Sequence, residues 1–332
     1  MNRTNKRNSS VELLRIIAMF FILICHAVLG IQHLPLGVEI RDNVFYSLGS
    51  ISISSIAITG VDVFVLISGW FGITFKVRSV LKIVFETLFL LILIYTCVLL
   101  LGIDTLSMKG IRLCLALTHE YWFIMAYIGL CIFAPVLNAF VENCPREVFK
   151  RFLILFYVFQ TYYCLLTDTV DYYGGYSIVF FCGLYLTARY FRVYTPQFMS
   201  KNAKQLLIVT FASIVVISTF SLVALGHPAK MFRYDNPLVI VLSLSLLYIF
   251  VNRTFSNSFI NWLAGSCLSV YIIHYNPYVF RHFQLVIQNL MESDGMLYAL
   301  KLTAFLSLVF LVCVLVDQIR IFIWKRIVTK LH

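Results

Sequence analysis

Three residues in one apolar run have the chemistry to move protons and hold anions. The stretch ELLRIIAMFFILICHAVLG, residues 12–30, reads as hydrocarbon except at Glu12, Arg15 and His26. A helix that only anchored the chain would carry Leu or Val at those places. From Arg15 to His26 is eleven residues, which in an α-helix is three turns plus about 20° and about 16 Å of rise. Both side chains therefore fall on one face. Glu12, three residues before Arg15, lies on the same stripe and is in reach to pair with it. Imidazole has an ordinary pKa of about 6.5, so it takes up and returns protons near neutral pH. Ionisable groups inside a membrane usually face a bundle interior or a wet cavity. Snorkelling of Arg15 to the headgroups and a helix–helix hydrogen bond from His26 are the structural alternatives. The shared stripe favours chemistry.

The elements that must position these groups are membrane helices. Of the 332 residues, 61% are hydrophobic and 12% charged, and mean hydropathy is +0.90. A soluble chain is about half apolar and a quarter charged, so the composition predicts an all-α integral membrane protein. The net charge of +11 is spread over short clusters between apolar runs, not gathered in a basic arm, so no nucleic-acid partner is expected. The nine cysteines form no CxxC pair, so neither a metal nor a redox centre is expected. The basic start (Arg3, Lys6, Arg7) before an apolar core resembles a leader. That core has bilayer-crossing length, however, and is read as a retained helix.

Apolar runs predict about ten transmembrane helices, near 11–30, 51–71, 80–102, 120–140, 150–166, 174–190, 205–225, 236–251, 259–280 and 298–320. Nothing alternates at strand period, which argues against a barrel. Eighteen of the 26 Lys and Arg residues, Arg320 among them, fall on one side of this topology and seven on the other. That bias places both termini in the cytoplasm. Trp70, Trp262 and Trp324 then mark the inner interface and Trp122 the outer. With no soluble domain, linker or repeat, residues 1–332 are expected to form a single transmembrane domain.

Several segments carry a resemblance. Arg15 and His26, preceded by ELL, form an R-x10-H pattern. GVDVFVLISGWF (60–71), YWFIMAYIGLCIFAPVLN (121–138) and LSVYIIHYNP (268–277) follow it. Together they resemble acyltransferase family 3, integral membrane O-acyltransferases, over essentially the whole chain. The opening FFILICHAVLG and GWFG look most like its capsule and exopolysaccharide O-acetyltransferases. The resemblance implies a bacterial inner-membrane enzyme that moves an acyl group, usually acetyl from acetyl-CoA, to a hydroxyl of an envelope carbohydrate. It implies that His26 is catalytic and Arg15 supports the donor. It also implies that basic residues at the base of the third helix meet CoA. Here these are Lys76, Arg78 and Lys82 of FKVRSVLKI (75–83), spaced more loosely than the family's paired arginines and without the Pro that follows them.

Transfer from a thioester to a hydroxyl needs a base, stabilisation of an oxyanion and an anchor for the donor's phosphates. An imidazole at His26 can act as that base or carry the acyl group itself. Asp62, near the middle of the second expected helix, is assigned to orient His26 or receive its charge; a structural hydrogen bond is the alternative. Ser68 is expected along the donor channel, and Gly69 either there or as a packing residue. Lys76, Arg78 and Lys82 are read as the phosphate site or as a positive-inside signal. Tyr271 and His274, one turn apart, are candidates for the acceptor, as are Glu120 and Trp122 at the outer interface. Aromatic-belt and structural readings stand beside these. Glu86 is expected to pair with a neighbouring helix. A transporter without covalent chemistry is the rival reading. Against it stand the absence of internal repeats and of paired broken helices.

Overall fold

The computed structural model describes residues 8–116, 118–168, 173–293 and 295–330. Arg3, Lys6 and Arg7, counted above toward a cytoplasmic N-terminus, lie outside these. The described residues are helical, with no strand among them. The helices are α1 (Ser9–Ile24), α2 (Gly37–Asp42), α3 (Val44–Ala57), α4 (Gly60–Phe71), α5 (Val77–Leu100), α6 (Met108–Cys114), α7 (Trp122–Asn143) and α8 (Arg146–Phe159). After them come α9 (Ile178–Tyr194), α10 (Gln197–Leu225), α11 (Pro237–Val251), α12 (Ser258–Ala264), α13 (Cys267–His274), α14 (Pro277–Leu290) and α15 (Gly295–Lys330). π-helical turns prolong α1 over Cys25–Gln32 and α8 over Gln160–Leu166.

Among the described residues, six stretches are long and apolar enough to cross a membrane: Ser9–Gln32, Val44–Phe71, Val77–Leu100, Met108–Asn143, Gln197–Leu225 and Gly295–Ile327. The protein is a multi-pass membrane protein. Asparagines start several helices. Asn8 accepts a hydrogen bond from Ser10 N at 3.1 Å. Asn236 and Asn276 cap α11 and α14 in the same way, each followed by Pro at the first helical position, where its missing N–H costs nothing.

Two compact units make up the chain. The first comprises residues 8–75 and 126–261, the second 76–125 and 262–330. In the first unit α4 packs on α1, α9 and α11, and α10 packs on α3 and α11. Its core holds Cys25, Ala57, Ile58, Ile214, Val239 and Leu242. Lipid tails are as apolar as leucine, so close backbone approach replaces the hydrophobic effect as the source of helix association. Two glycines of the 60–71 motif provide it. A Cβ at Gly60 would lie 2.7 Å from the Ala18 carbonyl oxygen, and one at Gly69 would lie 2.6 Å from that of Tyr185. Gly69 is thus a packing residue between α4 and α9.

In the second unit α13 packs on α5 and α15, with α6 against α5 and α14 against α13 and α15. A buried ionic cluster ties the three central helices. Arg320 Nη2 donates to Asp317 Oδ2 at 2.8 Å, and Nη1 lies 3.3 Å from Glu86 Oε2. Ser269 Oγ is 2.7 Å from Glu86 Oε1 and 2.6 Å from Asp317 Oδ1. Glu86 is paired as expected. Arg320 departs from its expected place: it is 1% exposed, not an interfacial charge at the inner flank. Asp317, one turn earlier on the same helix, and Glu86, on the facing α5, outweigh the headgroups as its counterion.

Candidate active site

The first turn of α1 binds the end of α11. Ser10 Oγ donates to the Phe250 carbonyl at 2.8 Å, and Asn8 Nδ2 to that of Arg253 at 3.0 Å. Above this foot runs the polar stripe. Arg15 Nη1 donates to Glu12 Oε2 at 3.2 Å, the pairing their spacing predicts. Glu12 is buried and Arg15 half-buried. From Arg15 the winding is α-helical only to Ile24. His26, also half-buried, lies in the π-helical stretch. Wider i→i+5 winding leaves part of the local backbone hydrogen bonding rearranged, and such turns are frequent at functional sites. The face shared by Arg15 and His26 is therefore set by α-winding over the first nine steps and by wider winding beyond.

Asp62 does not occupy a mid-helix position. The expected helix over 51–71 is two helices, α3 and α4, broken at Ile58–Thr59, and Asp62 stands in the first turn of α4. There the positive end of the helix dipole offsets part of the cost of a buried carboxylate. Asp62 is 0% exposed, and neither oxygen accepts a hydrogen bond from a described residue. The assigned orienting hydrogen bond to His26 is thus not formed in this structure. Gly60 nevertheless seats the same turn on Ala18 and Ile22 of α1, two turns and one turn before His26.

Two turns farther along α4, Ser68 Oγ lies 2.9 Å from the Tyr127 hydroxyl of α7 and donates to the Phe64 carbonyl at 3.1 Å. Below it a clamp holds the chain leaving α4. Tyr185 OH donates to Asn138 Oδ1 at 2.6 Å and accepts from Ile73 N at 2.9 Å. Asn138 Nδ2 donates to the Ile73 carbonyl at 2.9 Å. Asn138 ends one of the motifs quoted above. Tyr127 lies inside the 121–138 segment, but nothing local marks it, or Tyr185, among nineteen tyrosines.

The second unit holds the other candidates. Lys76, Arg78 and Lys82 are exposed on the first turns of α5. Cations at a helix N-terminus work against the dipole, so helix stability does not account for them. Three exposed cations make this an anion-attracting end. Tyr271 OH donates to the Glu120 carbonyl at 2.7 Å, and its ring stands edge-on to Tyr121 and Phe123. His274 is fully buried. Its Nδ1 lies 2.7 Å from the Val270 carbonyl, and its ring packs on Phe283. Trp122 and Glu120 are half-buried at the start of α7.

The family model for an acyltransferase domain, acyltransferase family 3, matches residues 8–317. The chain belongs to acyltransferase family 3. As a member of that family it is a membrane acyltransferase, and its matched region contains every candidate named here. No curated protein and no solved structure matches the chain. Membership favours covalent group transfer over transport alone.

Proposed function

We propose that this family-3 acyltransferase moves an acetyl group from cytoplasmic acetyl-CoA to a hydroxyl of an envelope carbohydrate, a capsular or exopolysaccharide or a lipid-linked sugar. It does so in a bacterial inner membrane, with about ten spans, both termini cytoplasmic. The observation that carries the reading is the stripe of α1: an ion-paired Arg15 below and a half-buried His26 above, in a π-helical stretch, within the family match.

In the proposed reaction His26 takes the proton of the sugar hydroxyl as its oxygen attacks the thioester carbonyl. The tetrahedral oxyanion collapses, the C–S bond breaks, and the CoA thiolate leaves with the proton returned by the imidazolium. Asp62 is assigned the electrostatic support of that imidazolium, and Ser68 a place along the donor channel. Arg15, Lys76, Arg78 and Lys82 are assigned to the donor. On the acceptor side, Trp122 and Glu120 are assigned contact with the sugar. Tyr271 holds the Glu120 backbone, and His274 packs within the same helix.

Release of CoA thiol from acetyl-CoA, measured with the purified protein in nanodiscs beside a mixture of envelope glycans, tests the reading. His26→Ala is expected to lose transfer while still inserting and folding. Transfer retained in that variant removes His26 from the reaction.

A further inference from the structure

A second cationic site lies in the first unit, at the foot of α1. Lys201 and Lys204 of α10 and Arg253, just past α11, line a pocket of about 400 Å³ with Gln205, Asn252 and Tyr248. No carboxylate lines it, and none of the three cations makes an ion pair among the described residues. Side chains of like charge repel unless an anion joins them. A positive-inside bias explains cations spread along an interface. It does not explain a concave site.

The pocket also has a polar floor. Tyr248 is 1% exposed, and its hydroxyl is buried without a hydrogen-bond partner. A buried hydroxyl in a native protein normally finds a partner, so this donor calls for one. Its ring is held edge-on to Trp70, with centroids 5.6 Å apart, and the Arg192 guanidinium covers Trp70 at 5.3 Å. The ring that carries the hydroxyl is therefore held in place. A phosphate monoester carries close to two negative charges at neutral pH and three acceptor oxygens. That matches three cations, two side-chain amides and one unpartnered buried hydroxyl.

The pocket adjoins the foot of α1, from which the polar stripe runs. The carbonyls of Phe250 and Arg253 that receive Ser10 and Asn8 belong to the segment that forms its wall. From Ser10 to His26 the rise is about 24 Å, a distance for a long flexible arm. We propose that the Lys201–Lys204–Arg253 pocket binds the ribose phosphate monoester of a nucleotide-type acyl donor. This inference rests on the reading of CoA as that donor. The pocket belongs to the same compact unit as Arg15 and His26, whereas Lys76, Arg78 and Lys82 belong to the other.

The test is calorimetric titration of the full-length protein, in nanodiscs of zwitterionic lipid, with adenosine 3′,5′-bisphosphate. The Lys204→Ala/Arg253→Ala double variant is expected to weaken binding by at least about tenfold. Tyr248→Phe, which removes only a buried hydroxyl, is expected to weaken it severalfold. That variant decides the matter where the double variant fails to fold. In turnover, KM for acetyl-CoA is expected to rise while kcat stays. Wild-type affinity in the folded variants overturns the proposal. So does a loss confined to retention of phosphatidylglycerol in mixed nanodiscs, which would make the pocket a headgroup site. Failure of the wider reading looks different: bisphosphate binding that depends on these residues, in a protein that does not release thiol from acetyl-CoA.

Discussion

At the scale of single residues, the site divides into groups placed by their own helix and groups placed by a neighbour. Arg15 and Glu12 meet because three residues on a helix are one turn. His26→Ala removes the proposed base, and transfer is expected to fall by about 10²–10⁴-fold, read as CoA thiol release. Asp62 is different. It is buried without a hydrogen bond from a described residue, at the first turn of α4. If it supports the imidazolium formed in the transition state, Asp62→Asn lowers kcat and leaves KM for acetyl-CoA nearly unchanged. A variant with a changed KM alone would give Asp62 a binding role instead.

At the scale of elements, the α1–α4 crossing decides how Asp62 stands toward the stripe. Gly60 allows it, since any larger residue meets the Ala18 carbonyl at 2.7 Å. Gly60→Val is expected to destabilise by about 1–3 kcal/mol through overpacking, seen as a lower unfolding midpoint in detergent. It should also lower activity, because α4 must move away from α1. A loop in the first unit offers a pH-dependent counterpart. Asp168 accepts from Lys230 and from Arg233, whose Nη1 is 2.6 Å away, and these cations hold its pKa below the ordinary carboxylate value. A depressed folded pKa contributes stability that is present above the unfolded value of about 3.9 and lost as pH falls through the folded one. Asp168→Asn should therefore flatten the acid limb of the unfolding midpoint against pH.

At the scale of the whole molecule, each unit carries its own buried polar centre. In the second unit Arg320, Asp317, Glu86 and Ser269 join α5, α13 and α15. Removing the one cation strands two acids, so Arg320→Leu is expected to cost about 3–5 kcal/mol. Replacing Glu86, Asp317 and Arg320 together by Leu should cost much less. Equal loss in both variants, by thermal unfolding, would contradict an ion-pair role. In the first unit the polar stripe of α1 and the Lys201–Lys204–Arg253 pocket share the foot of one helix.

What the sequence determined by itself are the properties that depend on neighbours along the chain. Apolar run length specified helices of membrane-crossing size, because backbone groups in hydrocarbon must pair within their own segment. The 3.6-residue turn placed Glu12 and Arg15 together. The motif glycines and the family signature were legible for the same reason. The tertiary structure decided the rest. The break at Ile58–Thr59, the π winding around His26 and the burial of Arg320 against Glu86 each depend on which helix lies alongside. So does the pocket that Tyr248 lines, since its cations come from α10 and from the segment that follows α11. A charge in a membrane protein declares its cost in the sequence; where its partner stands on another helix, as Glu86 does for Arg320, only packing brings the two together.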